Sequence, residues 1–292
     1  MRVAVTGATG FTGQRVVLEL LRRSHEVVAL VRPPAARPVL PPKLIVVEGD
    51  MGDAASLARL LDGAQAFVHV ASLGFGHADT VVTAAESAGV GRTVFFSTTA
   101  IFTRLPAASK PVRVAAEERV RRMSGAWTIL RPTMIYGAAG DRNMARLIRF
   151  VARCPVVPLP GRGGALLQPV HVDDLALAAV DALLCVAAAR REYNLPGGEA
   201  GTLREIVEHV ASLLGRRRLL VPLPLRPVAW AAGGWNRLGL PPRVSAEQVL
   251  RLGENKDFDY GDARRDWGYR PRGWREGLAA EVSALRRSGL VR

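Results

Sequence analysis

The run TGATGFTG at positions 6–13 constrains the fold of this chain more than any other feature. It joins a short apolar run to a helix-like stretch, and Gly7, Gly10 and Gly13 follow one another at intervals of three residues. The turn needs residues that tolerate positive φ, and the backbone must approach the phosphates without a Cβ in the way. Because the start of a helix also offers unpaired N–H groups to an anion, a strand, a glycine turn and a helix in this order predict a site for a dinucleotide pyrophosphate.

The segment that follows the glycines has the spacing of an amphipathic helix. Val16, Val17, Leu20 and Leu21 make one apolar face, and a second apolar run begins at Val27. Together these parts form a βαβ unit of about thirty residues, which is the context that the glycine motif requires. A tight structural turn that binds no ligand stays open as the alternative.

Length and composition favour a folded protein with a substantial core. The chain has 292 residues, of which 49% are hydrophobic, enough for one large or two ordinary domains. No apolar run reaches the roughly eighteen residues that a membrane span needs. The nucleotide motif starts almost at the first residue, so we expect no signal peptide and a cytoplasmic protein. Cys154 and Cys185 lack His or Cys neighbours at metal spacing, which predicts buried thiols and no metal site.

The net charge of +14 comes mostly from arginine and raises the question of nucleic-acid binding. The arginines are scattered along the chain, and the densest cluster, at 216–218, ends a predicted helix, where cations complement the helix dipole. We therefore expect a small-molecule substrate and no specific nucleic-acid partner. A protein partner or a homo-oligomer stays open.

The first half of the chain alternates between strand and helix patterns. Most of the strand patterns are continuous apolar runs, as expected for parallel strands that are covered on both faces. Strands are predicted near Val3–Thr6, Val27–Val31, Leu44–Val47, Ala66–Val70, Thr93–Ser97 and Thr128–Leu130, and helices at Phe11–Arg23, Asp53–Leu61, His77–Ala88 and Val112–Met123. The predicted fold class is α/β, with a Rossmann-type doubly wound parallel sheet.

The rhythm changes after about residue 134, where isolated helices are separated by glycine and proline loops. One helix begins with a capping box from Thr202 to Glu205, and another closes the chain with an apolar face that starts at Trp274. We expect an NAD(P)-binding domain at 1–133 and a smaller, mainly substrate-binding lobe at 134–292, from which 165–185 returns to the Rossmann domain. Such a lobe would cover the carboxyl ends of the strands, where these sheets bind ligands.

The end of the second predicted strand indicates which dinucleotide binds. An acidic residue about twenty positions past the glycines selects NAD, whereas an arginine there can accept a 2′-phosphate. This chain has the cations Arg32, Arg37 and Lys43 in that region and no acidic residue from 32 to 43. A guanidinium can bind two phosphate oxygens at once, so we predict that NADP(H) is preferred over NAD(H). The alternative is that Arg32 stacks on adenine or points to water.

Two other strand ends carry candidate cofactor contacts. Asp50 follows the third strand and is placed to accept a hydrogen bond from an adenine amine, with an exposed turn aspartate as the alternative. Val70, Ala71 and Ser72 follow the fourth strand, and their small size would let the cofactor's ribose lie against the backbone.

These motifs resemble those of the short-chain dehydrogenase/reductase superfamily, in its extended and atypical NAD(P)-dependent epimerase/dehydratase branches. TGATGFTG is similar to the family's TGxxGxxG loop, GDMGDAASL to its adenine-contact segment, HVAS to its fourth-strand motif and TILRPTMIYG to its sixth-strand segment. QPVHVDDLALAAVDAL and FDYGDARRDWGYRP resemble its carboxyl-terminal signatures, so the match covers almost the entire chain. The resemblance implies the fold and the cofactor class, and leaves the substrate open.

The glycine turn and the matched segments together give the predicted cofactor contacts. These are Gly7, Thr9, Gly10, Phe11, Thr12, Gly13, Arg32, Asp50, Met51, Val70, Ala71, Ser72, Ser97, Thr98 and Pro132.

In the family, a serine or threonine after the fifth strand orients a carbonyl, and a Tyr-x-x-x-Lys pair on the next helix moves the proton. FFSTT matches the first element, which implies that Thr99 orients the carbonyl. Alignment on Glu117 puts Arg113 in the lysine position and Ser109 in the tyrosine position, while alignment on Lys110 puts a proline where the tyrosine should be. In both cases the phenol is missing, and a serine hydroxyl is far less acidic than a phenol with a pKa near 10.

Three explanations of the missing tyrosine stay open. In the first, the protein is an oxidoreductase in which Thr99, Lys110 or water supplies the proton. In the second, it binds NADP(H) without turnover, as a sensor or assembly protein similar to atypical family members that have lost the tyrosine. In the third explanation it runs an epimerase or dehydratase cycle with another base, for which Tyr136, just beyond the sixth strand, is the candidate.

Overall fold

The computed structural model of the chain describes residues 1–33, 40–137, 140–141, 143–237 and 246–291. Its centre is a parallel sheet of seven strands. In chain order the strands of the whole fold are β1 Arg2–Thr6, β2 Glu26–Val31, β3 Ile45–Glu48, β4 Ala66–His69, β5 Arg92–Phe96, β6 Ala126–Pro132, β7 Ile135–Tyr136, β8 Val156–Pro160, β9 Leu166–Leu167, β10 Val170–His171, β11 Arg191–Leu195, β12 Gly201–Thr202 and β13 Leu219–Leu223. Within the central sheet the order is β11-β6-β5-β4-β1-β2-β3, which is the doubly wound Rossmann arrangement that the sequence predicts.

Helices cover both faces of this sheet. In chain order the helices of the whole fold are α1 Phe11–Arg22, α2 Ala54–Leu61, α3 Ala78–Ser87, α4 Ser109–Arg121, α5 Met144–Arg153, α6 Val172–Leu184, α7 Leu203–Leu213, α8 Leu225–Arg237, α9 Ala246–Leu250, α10 Gly261–Trp267 and α11 Trp274–Arg287. Short 3₁₀ helices occupy Leu73–Phe75, Thr99–Phe102, Gly161–Gly163, Val186–Ala188 and Arg251–Gly253.

The sheet is buried on both sides because successive residues of each strand point to opposite faces. In β1, Val3 and Val5 join an apolar cluster with residues of α1 and α6, whereas Ala4 joins the cluster formed with α2, α3 and α4. This explains why the strands read as continuous apolar runs in the sequence. The six predicted strands and the four predicted helices are confirmed, with ends within three residues of those observed.

The second half contributes a separate apolar core. It is formed mainly by α5, α7 and α11, with Trp274, Leu278 and Leu285 of α11 fully buried in it. The predicted capping box is confirmed: Thr202 accepts a hydrogen bond from the Glu205 backbone N–H, and the Glu205 carboxylate accepts one from the Thr202 N–H at 2.7 Å.

The structure adds one strand to the sheet that the sequence analysis does not predict. β11 pairs in parallel with β6, from Arg191 opposite Thr128 to Leu195 opposite Pro132. Its sequence, REYNL, alternates polar and apolar residues, because a strand at the edge of the sheet is partly exposed. The segment before it, α6, packs against α1 in the core of the Rossmann sheet.

Candidate functional site

Two cavities lie along the carboxyl ends of the parallel strands. In the sheet, β2, β1, β4, β5 and β6 are successive neighbours, so the loops that follow them form one continuous row. The first cavity follows β2, β1 and β4, and the second follows β5 and β6. The position outside the carboxyl ends of an open parallel sheet is where such folds bind ligands.

The first cavity, which we call the dinucleotide crevice, has a volume of about 510 Å³, within the range of ligand pockets. Most of the predicted cofactor contacts line it. They are Gly7, Thr9, Gly10, Phe11, Thr12, Gly13, Arg32, Met51, Val70, Ala71 and Ser72.

Close backbone packing explains the glycines of the crevice. Gly7 has a φ of +74°, and a Cβ there would lie 2.7 Å from the backbone nitrogen of Ala71 on the neighbouring strand end. A Cβ on Gly13 would lie 2.0 Å from the carbonyl oxygen of Gly7, so α1 can approach β1 this closely only with glycine at that position. The Gly10 N–H donates to the Gly7 carbonyl at 3.0 Å and closes the turn.

The start of α1 has no side chain that satisfies its N–H groups. Its N-cap is Gly10, which offers no side-chain acceptor, and the first turn contains no acidic residue. By contrast, α2 is capped by the Asp53 carboxylate, which accepts from the backbone N–H groups of Ala55 and Ser56. An open helix start beside a glycine turn can bind an anion such as a pyrophosphate.

Arg32 is exposed at the rim of the crevice and is the one charged side chain among its described lining residues. Lys43 is exposed outside that lining, and Arg37 lies outside the residues that the structure describes.

Asp50, after β3, is also exposed and does not line the crevice. Its carboxylate accepts a hydrogen bond from the Gly52 N–H at 2.8 Å. This contact matches the turn aspartate that the sequence analysis gives as the alternative.

A buried polar pair, missed in the sequence, links the strands under the crevice. The Thr6 hydroxyl and His69 Nδ1 are 2.7 Å apart, and both residues are almost completely buried. Burial lowers the pKa of His69 to about 3, so the imidazole is neutral at physiological pH. The pair joins the ends of β1 and β4, and Gly7 and Val70 are the next residues of the two chain segments.

Ser97 supports the site from beneath and lines neither of the two cavities. Its hydroxyl donates to the buried Glu117 carboxylate of α4, which also accepts two bonds from the Arg131 guanidinium of β6. Glu192 of β11 pairs with the same arginine. This network connects β6, β11 and the end of β5 with α4, directly before Thr98 and Thr99.

Thr98 and Thr99 line the second cavity, and their hydroxyl groups are used differently. The Thr99 hydroxyl is buried and donates to the Pro132 carbonyl at 3.2 Å, so its proton is occupied. The Thr98 oxygen accepts from the Ala100 N–H at 3.2 Å and leaves its own proton free in the described part of the chain. Thr98 is therefore the better donor to a ligand carbonyl, and Pro132 acts through its backbone, outside both cavity linings.

The second cavity, which we call the cationic cavity, has a volume of about 660 Å³ and is lined by residues of segments 98–104, 133–134 and 251–258. Its charged side chains are Arg104, Arg251, Glu254 and Lys256. None of the four is predicted as a site residue from the sequence. The signal that could have found one is that Lys256 is one of three lysines in a chain where arginine supplies nearly all the positive charge.

The structure does not bring the other candidate catalytic residues into the lining of either cavity. Lys110 donates from Nζ to the Thr103 carbonyl at 2.6 Å, and Ser109 is the first residue of α4. Arg113 lies against Gly74, beside the crevice, with its Nε buried and without a hydrogen-bond partner in the described residues. Burial and the nearby Arg251 lower the pKa of Arg113.

Tyr136 belongs to the core of the second half. It is fully buried, and a Cβ on Gly277 would lie 1.8 Å from its hydroxyl oxygen. The hydroxyl has no hydrogen-bond partner among the described residues, and burial raises the pKa of the phenol. A base needs access to the reacting atoms, so this placement removes the structural reason for treating Tyr136 as the substitute base.

The described residues contain no group of three or more His, Cys, Asp or Glu side chains that could hold a metal ion. Cys154 and Cys185 are unpaired and partly buried. Across the described residues, no helix combines the length and the hydrophobicity that crossing a bilayer requires.

Comparison with known proteins agrees with this geometry. Residues 7–148 match the model of an NAD(P)H-binding family. Over 258 residues the chain is 31% identical to a ceramide reductase of Caulobacter vibrioides, covering 83% of this chain and 80% of that protein. The chain belongs to the extended short-chain dehydrogenase/reductase family. As a family member it is an NAD(P)-binding protein of the oxidoreductase and epimerase type.

Two further relatives extend the likeness across nearly the whole chain. A 3β-hydroxysteroid dehydrogenase/Δ5→4-isomerase of Mycobacterium tuberculosis is 29% identical, covering 92% of this chain and 86% of that protein. A 2-alkyl-3-oxoalkanoate reductase of Stenotrophomonas maltophilia is 28% identical, covering 93% of this chain and 95% of that protein. The crystal structure of a UDP-glucose 4-epimerase from Thermotoga maritima shares the fold, with a TM-score of 0.76, 18% identity and 99% of both chains covered.

Proposed function

We propose that the protein is an NADP(H)-dependent oxidoreductase that interconverts a small carbonyl compound and its alcohol. The observation that carries this proposal is the adjacency of the two cavities. The lining of the dinucleotide crevice includes Ser72 after β4, and that of the cationic cavity includes Thr98 after the neighbouring strand, β5. A nicotinamide ring at the end of the crevice would thus face a ligand in the cationic cavity.

Bound NADPH supplies a hydride from nicotinamide C4 to the carbonyl carbon. The Thr98 hydroxyl donates a hydrogen bond to the carbonyl oxygen and stabilises the negative charge that develops there. The oxygen then takes a proton from water that enters through the cationic cavity. The water is left as hydroxide, which a solvent proton neutralises, so the net products are the alcohol and NADP⁺. Oxidation of the alcohol is the reverse of the same steps.

The crevice favours the phosphorylated cofactor in this proposal. Arg32 follows β2, where a 2′-phosphate on the adenine ribose would lie, and no acidic side chain lines the crevice in its described part. The guanidinium can donate two parallel hydrogen bonds to a phosphate, whereas an acidic residue at this position would repel it.

The names of the relatives support chemistry on ketones and alcohols. They describe a ceramide reductase, a hydroxysteroid dehydrogenase and an oxoalkanoate reductase. The substrates in these names differ, from a steroid to an oxoalkanoate. The substrate class of the present chain therefore has to be inferred from the residues of its own cationic cavity.

A second candidate function, NADP(H) binding without turnover as a sensor or assembly protein, is favoured by the missing phenol. In the alignment on Glu117, Ser109 and Arg113 fall where the family places tyrosine and lysine, in the alignment on Lys110 the tyrosine position holds a proline, and Tyr136 is buried elsewhere. In that case the cofactor is a structural ligand, and the cationic cavity needs no reactive group.

Stopped-flow measurement of NADPH oxidation separates the two candidates. The purified protein, loaded with NADPH, is mixed with a panel of aldehydes, ketones, quinones and nucleotide sugars. We expect rapid oxidation with at least one ketone and a strong loss of rate in Thr98→Val. Tight NADPH binding with no oxidation across the panel would contradict the enzyme and support the binding protein.

A further inference from the structure

We propose that the cationic cavity is an anion site, and that the substrate is a carbonyl compound that also carries a carboxylate or a phosphate. The carbonyl would meet Thr98, and the anionic group would meet Lys256 and Arg251. The role of the carbonyl rests on the proposed function, whereas the anion site stands on the charges of the cavity itself.

The cavity contains more positive than negative charge. Arg104, Arg251 and Lys256 line it, against a single lining carboxylate, that of Glu254. Charges that are partly removed from water are costly unless they are paired, so an excess of cations in a cavity favours an anionic ligand.

Glu254 offsets only part of this excess: it lies near Arg251 and Lys256, but both of its oxygens accept hydrogen bonds from the loop after β5. Its Oε2 accepts from the Thr103 hydroxyl at 2.6 Å, and its Oε1 accepts from the Arg104 backbone N–H at 2.8 Å. Burial acts to raise the pKa of this carboxyl, but these bonds, together with the nearby charges of Arg251 and Lys256, outweigh it and lower the pKa, so the carboxylate stays ionised. Its structural task is to hold segments 103–104 and 251–258 together.

Backbone hydrogen bonds fix the position of the segment that carries Lys256. Its N–H donates to the Leu166 carbonyl at 2.8 Å, and the Phe258 N–H donates to the Gln168 side chain at 2.8 Å. The Lys256 ammonium has no carboxylate within ion-pair distance in the described part of the chain. Burial and the nearby Arg251 lower the pKa of Lys256, which an anion bound beside it would reverse.

Arg251 also has capacity for a further partner. Its described ion pair is a long one, 3.8 Å to Glu247, on the helix before it. A guanidinium presents five N–H donors and suits carboxylates and phosphates. Lys256 and Arg251 can therefore bind one anionic group between them.

An aromatic pair completes the cavity. The rings of Phe102 and Phe258 lie 5.6 Å apart at 36°, and both residues line the cavity. They offer an apolar surface to the carbon skeleton of a ligand. The cavity thus has a hydroxyl donor, two cations and an apolar surface, which suits a ketone with an apolar chain and one anionic group.

The test compares matched substrates that differ in charge. We would measure kcat/KM with NADPH for 3-oxooctanoate and its methyl ester, and for dihydroxyacetone phosphate and dihydroxyacetone. We expect the anionic member of at least one pair to be preferred by roughly 10- to 100-fold, as for one charge-assisted contact. The pair with the larger ratio distinguishes a carboxylate from a phosphate.

Variants connect this preference to the cavity. Lys256→Gln and Arg251→Gln should each reduce the ratio of kcat/KM for acid over ester by about tenfold. Arg217→Gln removes the same charge from an exposed position outside the cavity and should leave the ratio unchanged. Equal kcat/KM for the acid and neutral members of both pairs in the unmodified protein would overturn the proposal.

A binding measurement keeps the anion site testable if the proposed reaction fails. Calorimetry on the NADPH-loaded protein with 3-hydroxyoctanoate, its methyl ester and inorganic phosphate requires no turnover. Binding of an anion that weakens about tenfold in Lys256→Gln supports the anion site, even if no ketone is reduced. If no anion binds, the site is refuted, whatever the reductase assay shows.

Discussion

The dinucleotide crevice and the cationic cavity are neighbours along one row of strand ends, but they differ in the groups that line them. The crevice consists largely of backbone and small residues after β1 and β4, and Arg32 is the charged side chain of its described lining. The cationic cavity is lined by residues of three separate segments, and four of its lining side chains are charged. A site built from backbone suits a ligand common to a family, whereas a site built from side chains can change with the substrate.

The first prediction challenges the view that the crevice depends on backbone packing, and we expect it to have the largest effect. Gly13→Ala should weaken NADPH binding by at least roughly 100-fold, because its Cβ would lie 2.0 Å from the Gly7 carbonyl oxygen. Gly10→Ala, with a Cβ 3.2 Å from the same atom, should have a smaller effect. Fluorescence titration of NADPH would measure both variants.

The control for this series is Gly164→Ala, whose Cβ would have no heavy atom within 4 Å and whose φ is −87°. It should bind NADPH like the unmodified protein. Thermal melting of each variant separates loss of the crevice from loss of the fold. Normal NADPH affinity in a folded Gly13→Ala protein would contradict our account of the crevice.

The second prediction separates two adjacent threonines at the boundary between the cavities. Thr98→Val should lower kcat about 100-fold, as expected for loss of one preorganised donor to a developing oxyanion. Thr99→Val should lower kcat less than Thr98→Val does, because the Thr99 proton is donated to the Pro132 carbonyl. Steady-state kinetics on a reducible ketone measures both. If Thr99→Val were the more damaging change, the carbonyl would be bound by Thr99.

The third prediction concerns the charged side chain of the crevice. Arg32→Gln should raise the dissociation constant of NADPH about tenfold relative to that of NADH, through loss of a charge-assisted pair with the 2′-phosphate. Parallel titrations with the two cofactors give this ratio. Arg216→Gln, an exposed change at a distance from the crevice, serves as the charge control. An unchanged ratio in Arg32→Gln would remove the structural reason for the NADP(H) preference.

The fourth prediction has the smallest expected effect and concerns a residue that belongs to neither cavity. Tyr136→Phe should leave kcat within about twofold, because the buried hydroxyl makes no hydrogen bond with the described residues and its removal breaks none. The measurement is the same ketone reduction assay that compares the threonines. A large loss of kcat with an unchanged melting temperature would return Tyr136 to the list of catalytic candidates.

The sequence predicts the crevice well because its determinants are local. Position 13 requires glycine because a Cβ there would meet the carbonyl oxygen of Gly7, six residues earlier in the same turn. Position 7 requires glycine because its φ is positive. The apolar runs of the strands follow in the same way from burial of both faces of a parallel sheet. The exception, β11, is an edge strand with a polar, alternating pattern that carries little of this signal.

The catalytic candidates were harder to predict, because their positions depend on packing between distant segments. Alignment with the family points to Lys110, and the position just beyond the sixth strand points to Tyr136. The Lys110 ammonium is hydrogen-bonded to the Thr103 carbonyl, and the Tyr136 side chain is buried against α11. No pattern in the sequence reveals either contact. The same is true of the two threonine hydroxyls, whose different hydrogen bonds depend on the positions of Pro132 and Ala100.

The sequence by itself determined the doubly wound sheet, the glycine turn and the cofactor class, since strand periodicity and the conformational freedom of glycine act over a few residues. Only the tertiary structure decided that Lys256 and Arg251 line the same cavity as Thr98, which is more than 150 residues away in the chain. The physical reason is that charges interact through space. A cavity lined by cations from separate segments therefore leaves no pattern in the sequence.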